Sequence, residues 1–129
     1  MKKHIEFTRA PIVVPPAPES LRETGACVEF HGIVREMENG KTIPALFYEA
    51  YEPMAKEQLE RIMDELNAAH PCDEIFFIHR LGLVSVGEAS LYLRVLSRHR
   101  QEAFQFASAL VTRMKVDVPI WKASPPGGG

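Results

Sequence analysis

Cysteine is scarce in this sequence, which has only Cys27 and Cys72 among its 129 residues. The two thiols have no close spacing of the metal-binding kind, and a disulfide between them is not expected in a reducing compartment. No apolar run approaches the ~18 residues of a membrane span. Basic residues near the N-terminus are followed by no apolar stretch, so we expect no secretory signal and predict a cytoplasmic protein that does not enter a membrane.

Nucleotide and metal motifs are missing as well. No Gly-x-Gly-x-x-Gly follows a strand pattern, no phosphate-binding loop occurs, and no His-x3-His pair marks a metal. These absences disfavour dinucleotides, nucleoside triphosphates and zinc, and we predict no metal and no cofactor. The sequence pI of about 6.2 also disfavours nucleic acid, which usually draws domains with a pI above ~9.

Length and composition are those of one globular domain. The chain is 46% apolar and 25% charged, and a chain of 129 residues buries about two thirds of its unfolded surface. We predict a single domain over residues 1–122 and a flexible tail over residues 123–129, which ends in three glycines. The last 36 residues carry 6 Lys/Arg against 2 Asp/Glu, whereas residues 1–93 carry 9 against 15. The basic end suits a phosphorylated metabolite or an acidic protein.

Hydrophobic periodicity predicts an α+β fold. Residues 26–35 and 43–51 alternate as half-buried strands on either side of Asn39-Gly40, the strongest short hairpin signal, so this segment is predicted to be a β-hairpin. Helical periodicity follows Pro53 up to Pro71, and a second helix is predicted over residues 99–115. Three strands lie between the helices, and we expect a largely antiparallel sheet with two main helices packed on it and a β-hairpin subdomain.

Lys115 and Lys122 are the first candidates for chemistry. Amines beside apolar and aromatic groups can lose pKa by desolvation and then serve as acids, bases or nucleophiles. Lys122 follows Trp121, the only tryptophan, and Pro119 constrains the approach. The alternative is two solvated lysines. Because seven extended residues span up to ~25 Å, the two amines meet only if the segment bends back.

A second candidate site is cationic. His99 and Arg100 fall at a strand-to-helix junction, where free backbone N–H groups and the helix dipole attract anions. Arg35, at the end of the first long strand, could add a bidentate contact to a carboxylate or phosphate. For Arg35 alone, a solvated strand end is the competing interpretation.

Five segments together resemble one family, the large, catalytic subunit of molybdopterin synthase. The resemblance runs from about Gly25 to Lys122 with the segments in the family's order, and they read GACVEFHGIVR, YEAY with Met54, IHRLG, SRHR with Ala103-Phe104, and Lys115 with PIWK. The resemblance implies a hammerhead-like fold and a sulfurtransferase of molybdenum cofactor biosynthesis. Its reaction converts cyclic pyranopterin monophosphate to molybdopterin with sulfur from a small ubiquitin-like carrier, whose C-terminal Gly-Gly ends in a thiocarboxylate.

The resemblance also implies partners and roles. Family members form a homodimer of large subunits with one small subunit at each outer end, a heterotetramer, and the pocket draws residues from both large subunits. The family lysines match Lys115, expected to move a proton or hold a transient acyl group, and Lys122, expected to stabilise developing negative charge. Family substrate contacts match seven positions: Ile33, Val34, Arg35, His99, Arg100, Ala123 and Ser124.

The end of the chain departs from the family. Many members carry a basic and then an acidic residue after the second lysine, where this chain has Ala123 and Ser124, so side-chain contacts there must be lost or made by backbone groups. Two alternatives stay open. One is a non-catalytic relative that binds pterin or carrier and regulates, and the other is an anion-binding dimerisation module.

Overall fold

A computed structural model describes residues 1–17 and 22–123, so of the predicted tail over residues 123–129 only Ala123, the last residue of a strand, lies within the described residues. The α+β class is confirmed. The elements in chain order are β1 (Lys2–Thr8), β2 (Ala26–Ile33), β3 (Met37–Glu38), β4 (Lys41–Thr42), β5 (Ala45–Ala50), α1 (Glu52–Ala69), β6 (Glu74–Arg80), β7 (Gly82–Ser85), β8 (Ala89–Ser97), α2 (Arg100–Asp117) and β9 (Ile120–Ala123). Across the described ranges, neither helix is long and apolar enough to cross a membrane.

The main sheet has the strand order β1-β6-β8-β2, with β1 parallel to β6 and the other pairs antiparallel. Both helices pack on one face of it. Alternate residues of β8, such as Leu93 and Val95, meet Leu59 and Ile62 of α1 and Phe106 of α2 in the core. The helix-period and strand-period patterns therefore bury their apolar sides against each other, as the sequence predicts.

The proline-rich segment before residue 18 contacts the opposite face of the main sheet at β8. Arg94 of β8 is almost fully buried there, and its guanidinium donates hydrogen bonds to the Pro15 carbonyl at 2.6 Å and to the Pro16 carbonyl at 3.1 Å. Its Nε donates to the Tyr92 hydroxyl at 2.7 Å, and that hydroxyl donates to Glu29 at the same distance. The buried guanidinium is thus hydrogen-bonded to two carbonyls and one hydroxyl, and the Glu29 carboxylate is linked to it through that hydroxyl, which offsets the cost of burying the charge.

The predicted hairpin is confirmed at its turn and wrong in its extent. Asn39 and Gly40 adopt positive φ values of 51° and 76°, the left-handed conformations that such a turn needs, but the strands they join, β3 and β4, are only two residues long. The two long strands on either side do not pair with each other. β2 pairs with β8 in the main sheet, whereas β5 pairs with β7 and β9 in a second, three-stranded sheet. The pairing of β2 and β5 depends on which sheet buries each strand, and the residues of the turn between them do not determine that.

Candidate functional site

A cavity of about 640 Å³ opens where the end of β2 meets the three-stranded sheet and the C-terminal end of α2. Five of the nine predicted site residues line it: Ile33, Val34, Arg35, Lys115 and Lys122. The two lysines therefore share one cavity with the guanidinium that the sequence pattern singled out. This convergence is the central geometric finding about the site.

A sharp reversal after α2 brings the two lysines together. The backbone N–H of Val118 donates to the Met114 carbonyl at 3.2 Å, and the N–H of Ile120 donates to the Val118 carbonyl at 2.8 Å. The Pro119 carbonyl accepts from the N–H of Tyr51 at 3.0 Å, which holds the reversal against the start of α1. β9 then returns antiparallel along β5, so the bend that the two amines require is present.

Arg35 follows the end of β2. The register of β2 against β8 shifts between Gly32 and Ile33, an irregularity that redirects the strand at the mouth of the cavity. Val34 is buried, and its N–H donates to the Glu88 carbonyl at 3.0 Å. The anchored Val34 holds the next residue, Arg35, at the cavity wall with its side chain exposed.

Glu38 also lines the cavity, and sequence reasoning missed it. Its carboxylate lies 2.6 Å from the Nζ atom of Lys122, and its side chain is only 21% exposed. The hydrogen bond from Lys122 lowers the pKa of Glu38, and the charges of Lys122, Arg35 and Lys115 lower it further. One carboxylate of the chain itself is therefore paired with Lys122 and lies within the electrostatic influence of Arg35 and Lys115. The only signal in the sequence is an acidic residue directly before the predicted Asn39-Gly40 turn.

The expected desolvation of the two amines is not found in the single chain. Lys115 is exposed on the last turn of α2, and Lys122 is exposed on β9, where Trp121 beside it is 46% exposed. Both amines are therefore accessible to water at the edge of the cavity. Any desolvation of these lysines has to come from a bound partner or substrate.

Tyr48 and His79 form the inner wall beside Lys122. Tyr48 lies opposite Lys122 in the β5–β9 register, and its ring meets the His79 ring edge-on at 5.1 Å. His79 is almost fully buried, and its Nδ1 lies 2.8 Å from the Arg80 carbonyl, to which it donates in the neutral tautomer. Burial lowers the pKa of His79, and the backbone hydrogen bond only partly offsets this. The site thus has a neutral imidazole in its wall.

His79 should make the stability of the protein depend on pH. The unfolded chain binds a proton at His79 below about pH 6.5, whereas the folded chain resists it, so the free energy of unfolding should fall as the pH drops below that value. The slope from this residue is at most about 1.4 kcal/mol per pH unit. Urea denaturation of the wild type and of His79→Gln between pH 5 and 8 measures it. Equal slopes for the two proteins would contradict the assignment.

His99 and Arg100 do not line this cavity. They lie at the start of α2, and the ~1.5 Å rise per helical residue separates Arg100 from Lys115 by about 22 Å along the axis. β8 likewise runs away from the cavity, since Ala89 pairs with Ile33 at its mouth and Ser97 pairs with Ala26 at the far end. Within one chain, therefore, the predicted anion site at the helix start is separate from the lysines.

The last two predicted contacts lie at the end of the described chain. Ala123 is the final residue of β9 and pairs with Phe47 of β5. Its backbone therefore belongs to the three-stranded sheet and follows directly after Lys122. Ser124 lies outside the described residues, and its predicted contact stays a prediction.

Comparison with known protein sequences supplies independent observations. The family model described as MoaE protein matches residues 7–117. A molybdopterin synthase catalytic subunit of Bacillus subtilis is 38% identical over 122 residues, which cover 93% of this chain and 78% of that protein. The human protein of the same name is 40% identical over 98 residues, which cover 76% of this chain and 52% of the human one.

Solved structures show the same fold. The crystal structure of molybdopterin synthase from Staphylococcus aureus superposes with a TM-score of 0.78 at 32% identity, covering 94% of this chain and 91% of the other. A protein–protein complex of subunits 1 and 2 of molybdopterin-converting factor from Helicobacter pylori contains a chain that matches with a TM-score of 0.66 at 27% identity, covering 78% of this chain and 66% of the other.

Proposed function

The chain belongs to the MoaE protein family and is an enzyme of molybdenum cofactor biosynthesis, and we propose that it converts cyclic pyranopterin monophosphate to molybdopterin with sulfur from a thiocarboxylated small subunit. The observation that carries this proposal is the shared cavity of Arg35, Lys115 and Lys122. An anionic substrate and an anionic sulfur donor must meet at one place, and a cluster of cations with room for both is what such a meeting requires.

Lys115 is the proposed catalytic amine. Attack of the thiocarboxylate sulfur forms a carbon–sulfur bond to a substrate carbon while a carbon–oxygen bond of that carbon breaks and the oxygen leaves with a proton. The carrier is then joined to the pterin through a thioester. Hydrolysis of the bond between the carrier's acyl carbon and the sulfur releases a thiol on the pterin and a carboxylate on the carrier. A group near this bond must therefore move a proton or hold the acyl group. An exposed amine at the cavity rim can do either, and Lys115 has this position.

Lys122 and Arg35 are the proposed electrostatic residues. Lys122 already holds a carboxylate in hydrogen-bond contact, which supports a role in stabilising negative charge as it develops on the acyl oxygen. Arg35 has a planar guanidinium suited to a bidentate phosphate contact. Ile33 and Val34 next to it, and Ala123 and Ser124 after the second lysine, are the proposed remaining substrate contacts.

A second copy of the chain is proposed to complete the site. The midpoint between His99 and Lys115 on α2 falls at Ala107, so a twofold axis near Ala107 that pairs two α2 helices antiparallel brings His99 and Arg100 of one protomer to Lys115 of its partner. Groups that lie ~22 Å apart within one chain become neighbours across the twofold axis. The two cationic candidates of the sequence then belong to one pocket.

The surface around Ala107 has the character that such a pairing needs. A groove of about 360 Å³ with mainly apolar walls lies between α2 and β2, and Phe104 on its rim is 60% exposed. Val111 and Phe30 also line it. β2 is an edge strand of the main sheet, whose free backbone groups favour association with another chain. Both features support a homodimer across this groove.

The small subunit is the proposed sulfur carrier. The Helicobacter pylori complex of subunits 1 and 2 supports a two-subunit enzyme, in which the carrier's C-terminal Gly-Gly reaches the lysines of this chain. An extended diglycine tail is thin enough to enter a cavity of this size without side-chain clashes. Two large and two small subunits make the proposed heterotetramer, and we assign the reaction to the cytoplasm.

Reconstitution tests the proposed function. The purified chain, mixed with a thiocarboxylated carrier and cyclic pyranopterin monophosphate, is expected to form molybdopterin, measured by oxidation to its fluorescent derivative. The same mixture with carrier that ends in an ordinary carboxylate is the control and should form none. Binding of both components without sulfur insertion would contradict the proposal and favour a regulatory relative, and binding of neither would favour a dimerisation module.

A further inference from the structure

Glu38 occupies the position in the cavity where an anionic ligand would bind. Its carboxylate contacts Lys122 at 2.6 Å, and Arg35 and Lys115 are close enough to act on it electrostatically. The carboxylate is the same chemical group as the end of a spent carrier tail. In the isolated chain, the Lys122 ammonium is therefore paired with a group that resembles its proposed ligand.

The local fold does not require this ion pair. Glu38 belongs to the two-residue strand β3, which pairs with β4 through only two residue pairs, and the N–H of Ile43 donates to the Glu36 carbonyl at 2.8 Å to close the turn. These backbone hydrogen bonds do not involve Lys122, which is 84 positions away in the chain. A ladder this short is marginally stable by itself, so the segment can shift at little cost.

We propose that Glu38 is an intramolecular competitor, which neutralises Lys122 while the cavity is empty and is displaced when an anionic ligand arrives. The inference rests on the proposed function for the identity of that ligand, a phosphate or a terminal thiocarboxylate. Two consequences follow. Anions bind less tightly than the three cations alone would bind them, and Glu38 competes with the carboxylate of the spent tail, which favours its release.

The charge balance of the cavity supports this role. Without Glu38, the cavity wall would carry three cationic side chains and no carboxylate, so its positive potential would be stronger. With Glu38, the empty site keeps one internal ion pair, and ligand binding exchanges one carboxylate contact for another anion contact. Such an exchange alters affinity modestly and leaves the fold unchanged, since exposed ion pairs contribute little to stability.

Titration with inorganic phosphate tests the competition directly. Glu38→Gln keeps the size of the side chain and removes its charge, so phosphate should bind about 3- to 10-fold more tightly than to the wild type. Glu36→Gln is the matched control. Glu36 lies two positions before Glu38, is exposed and does not line the cavity, so this substitution removes the same charge elsewhere. The affinity of Glu36→Gln for phosphate should stay within about twofold of the wild type. Isothermal titration calorimetry at fixed ionic strength measures all three proteins.

A double-mutant cycle separates competition from a general charge effect. In a Lys122→Met background, Glu38 has lost its hydrogen-bonded partner, and only the charges of Arg35 and Lys115 still act on it. Adding Glu38→Gln should therefore raise phosphate affinity by a smaller factor than in the wild-type background. Tighter binding for Glu38→Gln alone, together with this smaller gain, supports the proposal. Unchanged or weaker phosphate binding by Glu38→Gln overturns it, as does an equal gain in the Lys122→Met background.

The titration uses neither carrier nor turnover, and its failure is therefore distinguishable from failure of the proposed function. If the chain makes no molybdopterin but the variants show the expected changes in phosphate affinity, the inference about Glu38 stands and the proposed activity is wrong. If the chain makes molybdopterin but the variants do not show those changes in phosphate affinity, the proposed activity stands and the inference about Glu38 is wrong. In the reconstituted enzyme, Glu38→Gln should also lower the KM for the carrier by a similar factor, a change that a merely structural role would not produce.

Discussion

Lys115→Ala is expected to reduce molybdopterin formation by about 10²- to 10⁴-fold, the range that a positioned proton-transfer group contributes. The side chain is exposed on the last turn of α2, so its truncation removes no core contact and should leave the fold intact. The loss of activity can therefore be measured separately from any change in stability. Turnover is measured with saturating carrier and substrate, and the fold by circular dichroism and urea denaturation.

Lys56→Ala is the matched control for this experiment. Lys56 is exposed on α1 and does not line the site cavity, so its loss removes the same charge without touching the proposed chemistry. Its activity should stay near the wild-type value. Near-normal turnover of Lys115→Ala would remove Lys115 from the mechanism, whereas equal losses in the two variants would point to a general effect of charge.

A mixed dimer of Lys115→Ala and Arg100→Ala chains is expected to regain about half of the wild-type activity, although each parent dimer is nearly inactive. In the proposed dimer each pocket takes Lys115 from one protomer and Arg100 from its partner. One pocket of the mixed dimer then carries both substitutions, and the other carries neither. Coexpression with two different affinity tags, followed by purification on both, isolates the mixed dimer for the assay.

The pairing of Lys115→Ala with Lys122→Ala supplies the control. Both lysines line the same cavity of the same chain, so each pocket of that mixed dimer lacks one of them and no activity should return. Recovery in the first mixture and none in the second would identify a pocket built from two protomers. An inactive Lys115→Ala/Arg100→Ala dimer would contradict the antiparallel pairing of α2 and return Arg100 to a site of its own.

The secondary structure was predictable wherever neighbouring residues determine it. Pro53 and the apolar residues that follow it predict α1 because helix periodicity and an early proline are local properties. The Asn39-Gly40 turn was predictable for the same reason, since those residues tolerate the left-handed conformations it needs. The partners of the long strands were not predictable, because pairing depends on which distant surface buries each strand.

The candidate site divides in the same way. Arg35, Lys115 and Lys122 were named from residue chemistry and from a resemblance spread over the chain, and the structure brings these three to one cavity. Glu38 was missed, because an acidic residue beside a turn is ordinarily solvated and its ion pair spans 84 positions. The desolvation of the lysines was expected from their apolar neighbours in sequence, but Lys115 is exposed on the last turn of α2 and Lys122 is exposed on β9, so those neighbours do not cover the amines.

Residue type and local periodicity by themselves determined the class of fold, the two helices and the family to which the chain belongs. Only the tertiary structure decided that the chain reverses at Val118, that Lys122 meets Glu38, and that His99 lies far from Lys115 within one protomer. The physical reason is the range of the interactions. Helices and turns are stabilised between residues a few positions apart, whereas a cavity forms only where the packing of all the elements brings distant side chains together.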